Sequence, residues 1–316
     1  MSVPTVAVVD IGSNSIKVLV ATRDGSGQMV SLRTKTLDVR ISAGISRADP
    51  RLSDESMATG LAAIKDLLAE AALYSPKRVM LVATSAVRDA ANGSAFREAV
   101  RRETGHEIQI LTGEAEAAGI GRGLTCDPAL AALQDFYVFD LGGGSLESIA
   151  FRHRQPTQAL SLQLGCVRLT EKFVPDSSAP FSDASRAAIS AHTKATLAGF
   201  AFSLPDSAAL GTGGTVSSVR ALFGARSAQP MEATSPIVTL AQLRELLDLI
   251  APLTLDQRRQ IPGMPFARAD VLPAALTTFI AVAELGGFAE FRHSVYNLRY
   301  GLAAGLLDRA DGQSGA

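Results

Sequence analysis

Two stretches of this 316-residue chain repeat one chemical pattern. An apolar run ends in Asp, a turn rich in Gly and Ser follows, and a second apolar run begins. The first copy is Thr5-Val6-Ala7-Val8-Val9-Asp10, then Ile11-Gly12-Ser13-Asn14-Ser15, then residues 16–20. The second is Phe136-Tyr137-Val138-Phe139-Asp140, then Leu141-Gly142-Gly143-Gly144-Ser145, then residues 146–150. A third glycine turn, Gly211-Thr212-Gly213-Gly214-Thr215, precedes a helical stretch. Backbone amides in such turns converge on anions. Glycine lets the backbone approach a phosphate closely, and Ser and Thr hydroxyls add donors. An Asp at the end of the preceding strand can hold a cation, directly or through water. One glycine turn alone reads as a hairpin. Three, two of them after like strands, point instead to paired loops gripping a phosphate chain and a magnesium ion in a cleft.

If a phosphate chain held this way were cleaved by water, a group would be needed that aligns the water and takes its proton. Glu114 and Glu116 are both candidates on the residues alone. Two positions apart on a helix, they point to nearly opposite faces, so at most one serves the cleft. Arg88, after a strand and a turn, could neutralise charge on the transferred group. Asp140 and Glu147 sit on neighbouring strands of one hairpin, and both reach the turn between them.

The elements that must position these groups read as alternating strands and helices, an α/β pattern. Ser53 is the expected N-cap of a helix whose apolar positions Met57, Leu61, Ile64, Leu68 and Ala71 recur at helical spacing. Residues 79–83 and 107–111 read as strands, and residues 93–103 as a helix. The second half offers helices at 182–200, 240–251 and 269–285, strands at 208–210 and 295–298, and a last helix at 301–307. The repeat of a strand–turn–strand core marks two domains.

Composition narrows the function. With 47% hydrophobic residues and a formal net charge of −1, the chain is not a basic nucleic-acid binder. A polyanionic substrate would have to be held by loop amides, a metal ion and a few arginines. Two cysteines, Cys126 and Cys166, speak against a disulfide framework, and no Cys/His spacing resembles a zinc site. Cys166 reads as a buried small residue in an apolar strand. His106 and His293 lie beside expected strand starts and carry no chemistry in this reading. No leader segment and no membrane-spanning run is read, and a cytoplasmic location is expected.

Taken together, the three glycine turns resemble the actin/hexokinase/Hsp70 superfamily. The match is closer within it. Val9-Asp10-Ile11-Gly12-Ser13-Asn14-Ser15-Ile16, Ala83-Thr84-Ser85-Ala86-Val87-Arg88-Asp89-Ala90-Ala91-Asn92, Leu111-Thr112-Gly113-Glu114-Ala115-Glu116-Ala117 and Asp140-Leu141-Gly142-Gly143-Gly144-Ser145-Leu146-Glu147 resemble, in order, the motifs of the exopolyphosphatase/guanosine pentaphosphatase family. The series closes with Leu164-Gly165-Cys166-Val167-Arg168-Leu169-Thr170 and the 211–215 turn, and the resemblance covers residues 5–307.

The resemblance implies two ribonuclease H-like domains flanking a central cleft. Their expected extents are 1–124 and 125–298, with a final helix at 299–310 packing back on the first and a disordered tail at 311–316. It selects Glu116, directly before Ala117, as the catalytic base and gives Arg88 a contact near the scissile bond. It makes Asp140 and Glu147 magnesium ligands and leaves Asp10 open between binding metal and ordering its turn. Gly12, Ser13, Asn14, Ser15, Gly142, Gly143, Gly144, Ser145, Thr212, Gly213, Gly214 and Thr215 become phosphate binders. Lys17 fills a position often occupied by Arg in the family, with a solvated strand face an equal reading. Arg299 matches the arginine of the closing motif, while Tyr300 departs from the acidic residue usual there.

The implied activity is release of orthophosphate from the end of inorganic polyphosphate, with guanosine pentaphosphate as the alternative substrate and a homodimer as the expected assembly. Longer relatives carry further helical domains beyond about residue 310, so short polyphosphate is the expected preference. Two other classes are weighed beside this one: a sugar or acid kinase of the superfamily, and a sensor of guanosine tetraphosphate that has lost catalysis. The first would need an acceptor carboxylate and an adenine pocket, the second the loss of Glu116 or Asp140.

Overall fold

The computed structural model describes residues 4–204 and 207–310, so the expected tail at 311–316 lies outside the described residues. Two compact units divide the chain: Met1–Ala132 with Tyr296–Ala316, and Leu133–Val295.

In the first unit, β1 (Val6–Ile11), β2 (Ile16–Arg23) and β3 (Met29–Leu37) form an antiparallel meander. Helix α1 (Asp54–Ala72) then crosses to β4 (Arg78–Ala83), which lies parallel beside β1. The short α2 (Ser85–Arg88), α3 (Gly93–Thr104), β5 (Ile108–Ile110) and α4 (Gly113–Thr125) follow. The sheet order is β3-β2-β1-β4-β5. β1 is buried along its length except at Asp10, as a central strand covered on both faces should be. Ser53 caps α1, its Oγ accepting from Ser56 N at 3.0 Å.

The second unit repeats this plan. β6 (Phe136–Leu141), β7 (Leu146–Arg152) and β8 (Gln155–Leu162) form the meander. After α5 (Cys166–Phe173) and α6 (Asp183–Thr196), β9 (Ala208–Thr212) pairs parallel with β6. Then come α7 (Gly214–Arg226), β10 (Ile237–Thr239), α8 (Leu240–Ile250), α9 (Leu255–Arg259), α10 (Leu272–Gly286) and β11 (Glu290–His293). The order is β10-β11-β9-β6-β7-β8. α11 (Leu298–Ala310) returns to the first unit. A meander followed by a parallel crossover beside its first strand, made twice, is the ribonuclease H-like plan of the actin/hexokinase/Hsp70 superfamily.

Each face of the first sheet has its own core. Val9, Ile11, Val18 and Leu81 pack with Ile64 and Leu67 of α1 and Phe96 of α3. Val6, Val8, Leu19 and Val82 pack with Tyr300, Ala303, Leu306 and Leu307 of α11. The alternation along β1 divides its residues between the two clusters. No helix among the described residues is long and apolar enough to cross a membrane.

Three local expectations are corrected. Residues 295–298 are no strand: the last strand is Glu290–His293, whose polar residues Glu290, Arg292 and His293 mask it in the sequence, and Leu298 already opens α11. His293 therefore ends a strand rather than preceding one. Cys166 begins helix α5 instead of lying in a strand, and the first amides of that helix bond to the second glycine turn, Cys166 N to Gly142 O at 3.0 Å and Val167 N to Gly143 O at 2.9 Å. Cys166 is buried, and both cysteines are free thiols.

Candidate active site

The two Asp-ended strands make the same turn in atomic detail. Gly12 N donates to Ser15 O at 3.2 Å, and Gly142 N donates to Ser145 O at 3.0 Å. In both copies the Asp is half-buried and the first glycine of the turn likewise, while the rest of the turn is buried.

In the first unit, α2 is drawn onto the turn by a contact between Ser13 Oγ and Ser85 Oγ at 3.2 Å. The segment after β3 lies on the other side. Ser42 Oγ donates to Ser13 O at 3.0 Å, and Arg40 Nε donates to Asn14 Oδ1 at 3.0 Å. Asn14 Nδ2 is buried with no hydrogen-bond partner among the described residues. Asp10 meets Arg299 Nη1 at 3.4 Å.

Arg88 closes α2 and reaches α4. Its Nη1 donates to Leu111 O at 2.9 Å and to Glu116 Oε2 at 3.3 Å. Thr112 caps α4, accepting from Ala115 N at 3.1 Å. This fixes the first turn, where Glu116 is buried and Glu114 is exposed. The opposite-face argument from the sequence thus separates the two carboxylates, and Glu116 is the one beside Arg88.

In the second unit, Asp140 and Glu147 are register partners across β6 and β7. Glu147 is buried and accepts from Ser161 Oγ at 2.8 Å. Among the described residues no three His, Cys, Asp or Glu side chains gather as a metal cluster. A paired carboxylate is still the donor set that suits magnesium, which retains waters and phosphate oxygens as its other ligands.

The 211–215 turn joins β9 to α7. Gly213 has φ +86°, in the left-handed region that disfavours side chains. A Cβ there would also run into the Asp140 carboxylate, so this turn and the turn after β6 are in contact. Thr212 Oγ1 and Thr215 Oγ1 are buried with no hydrogen-bond partner among the described residues. Buried polar atoms are nearly always paired, so their clustering on one glycine turn suits a polar ligand.

Sequence reasoning passed over Arg268. It is 9% exposed, and its guanidinium lies over the backbone of Gly214, so that a Cβ there would come within 2.6 Å of Nη1. No carboxylate or carbonyl among the described residues pairs with this guanidinium. A buried cation beside orphaned hydroxyls at a helix N-terminus favours an anion. The sequence signal was a lone Arg within Met264-Pro265-Phe266-Ala267-Arg268-Ala269, just ahead of an apolar helix.

His293, read from the sequence as carrying no chemistry, is a buried member of the same region. It is 5% exposed. Burial first, and the Arg220 charge second, pull its pKa down from 6.5 to about 4. The unfolded chain then binds a proton between those values that the native chain refuses. Stability from this group is complete above pH 6.5 and is lost as pH falls toward 4. The loss is about 3 kcal/mol over that window. Thermal melts of wild type and His293→Asn between pH 4 and 7 check it: the wild-type melting temperature should fall more steeply with acid.

The fold makes the chain an α/β protein of the actin-like class. Residues 18–310 match the model of the Ppx/GppA phosphatase family, and the chain belongs to that family. The guanosine-5'-triphosphate,3'-diphosphate pyrophosphatase of Vibrio atlanticus (strain LGP32) is 31% identical over 317 residues, covering 98% of this chain and 60% of that relative. The chain therefore spans about 60% of that curated relative's length. The exopolyphosphatase from Cytophaga hutchinsonii ATCC 33406 superposes with a TM-score of 0.87 at 21% identity, over 96% of this chain and 98% of that one. The Aquifex aeolicus Ppx/GppA family member gives 0.79 at 22% identity, over the full length of both chains. At these identities the two structures speak for the fold.

Proposed function

We propose that the protein is a phosphohydrolase that removes a terminal phosphate by cleaving a phosphoanhydride bond. The observation that carries this reading is the Arg88–Glu116 pair. A buried carboxylate on a capped helix turn is held by an arginine that is itself anchored to Leu111 O. Glu116 takes a proton from water as the water oxygen bonds to the terminal phosphorus. The bond from that phosphorus to the bridging oxygen breaks, and the bridging oxygen leaves with the shortened substrate. Arg88 offers its positive charge to the phosphoryl oxygens. The 12–15, 142–145 and 211–215 turns bind phosphate through amides and hydroxyls, and Arg268 adds a buried positive charge at the last of them. Asp140 and Glu147 would hold the divalent ion. When bound, that ion neutralises phosphate charge. Asp10, already beside Arg299, orders its turn in this reading rather than binding metal.

The substrate we favour is guanosine 5'-triphosphate 3'-diphosphate, converted to the tetraphosphate. The reading from sequence put inorganic polyphosphate first. The named activity of the Vibrio atlanticus relative supports the nucleotide more strongly, whereas the exopolyphosphatase likeness is one of fold. A kinase reading lacks a comparable observation. Phosphate release from guanosine pentaphosphate, short polyphosphate and long polyphosphate, measured side by side with and without magnesium, decides the matter. The highest kcat/KM should fall on the nucleotide. A higher value on either polyphosphate overturns the substrate assignment, and release from none of the three overturns the hydrolase reading.

A further inference from the structure

A chain of hydrogen bonds runs from the 230–234 segment to the third glycine turn, and the side chains that form it, Arg220, His293 and Ser217, have no part in the mechanism above. Arg220 on α7 is pinned at one end, its Nη2 donating to Met231 O at 2.7 Å and Thr234 O at 2.8 Å, and its Nε donating to Thr234 Oγ1 at 3.1 Å. Its Nη1 donates to His293 Nδ1 at 2.8 Å. His293 Nε2 and Ser217 Oγ are 3.3 Å apart, and Ser217 Oγ donates to Gly213 O at 3.0 Å. His293 is also held through its backbone, as the register partner of Gly211, with its N donating to Pro236 O at 2.7 Å.

The chemistry of the donors gives this chain one direction. Arginine can only donate, so Nδ1 must accept. The imidazole is then neutral with its proton on Nε2, and it donates to Ser217 Oγ. The Ser217 hydroxyl is thereby committed to the Gly213 carbonyl. The peptide bearing that carbonyl has the Gly214 amide at its other end, at the start of α7; a Cβ on Gly213 would meet the Asp140 carboxylate, and one on Gly214 the Arg268 guanidinium.

We propose that His293 and Ser217 are positioning residues, which set the plane of the Gly213–Gly214 peptide so that the turn presents its amides to a phosphate. The proposal rests on the reading that the 211–215 turn binds phosphate. A Ser hydroxyl bonded four residues back is common in helices. The difference here is the buried histidine that fixes which way the hydroxyl points.

The test uses the full chain with Ser217→Ala, Ser217→Thr, His293→Asn and the Ser217→Ala/His293→Asn double variant. His293→Asn keeps an acceptor for Arg220 but is too short to reach Ser217. KM for whichever of the three candidate substrates the wild type turns over should rise ~10-fold in Ser217→Ala and His293→Asn, within the range for lost outer-shell partners. kcat should change much less. The double variant should be no worse than the worse single one, as for two links of one chain, and Ser217→Thr should retain the wild-type KM. An unchanged KM in folded Ser217→Ala, or penalties that multiply in the double variant, overturns the proposal. Amide spectra of the glycine-labelled protein give a readout free of turnover. Shifts of Gly213 and Gly214 in Ser217→Ala support the relay, and unmoved signals refute it. Should the wild type hydrolyse none of the substrates, the hydrolase reading fails while those spectra still judge the relay.

Discussion

Glu116→Gln should lower turnover by ~10²–10⁴, the span of general-base contributions, and leave KM and the fold nearly untouched. The asymmetry follows from how Glu116 is held. Gln keeps the shape and one oxygen, so it still accepts from Arg88 Nη1 at the position now 3.3 Å away. Arg88 also retains Leu111 O at 2.9 Å, so the guanidinium does not drift. The amide, however, cannot accept a proton from water. A single-turnover measurement with saturating substrate isolates the step, and a near-normal rate would remove Glu116 from the role. Glu114→Gln is the control: that side chain is exposed on another face, and its turnover should match wild type.

The second large effect is on stability, from a single methyl group. Helices α4 and α11 meet through glycine. A Cβ at Gly301 would run into Gly119 O and lie 2.8 Å from Gly123 N. These are backbone atoms, which cannot swing aside as a side-chain tip can. Gly301→Ala should therefore cost about 3 kcal/mol, the upper end of ordinary overpacking. That is ~6–12 °C for a unit of this size. The substitution favours helix by propensity, by about 1 kcal/mol, so destabilisation would identify the backbone contact as dominant. Calorimetry checks it, and a melting temperature equal to or above that of wild type would mean the helices can part at little cost.

Much of this was legible in the sequence because it is local. The Asp-ended strands with their glycine turns read correctly, since apolar runs and turn residues are short-range signals. Ser53 announced α1 for the same reason. What stayed hidden depends on partners distant in the chain. On the residues alone Glu116 and Glu114 are alike, and what separates them is burial of Glu116 beside Arg88, 28 positions earlier. Arg268 looks like any loop arginine until its guanidinium comes to rest on Gly214, 54 positions earlier in the numbering. His293 gave no signal, because its role depends on Arg220 and Ser217 from another element. The strand Glu290–His293 was missed because three of its four residues are polar, and its pairing with β9 and β10 outweighs that composition.

The place of α11 in the chain has a consequence for biosynthesis. One face of the first sheet is covered by residues translated after the whole of Leu133–Val295. As the polypeptide leaves the ribosome, the second unit is complete while Val6, Val8, Leu19 and Val82 still lack Leu306 and Leu307 against them. The half that carries Glu116 is begun first and finished last. A nascent chain stalled before residue 298 would hold every proposed catalytic carboxylate yet leave α4 without the helix it packs on, making it a client for chaperones rather than a short-lived enzyme.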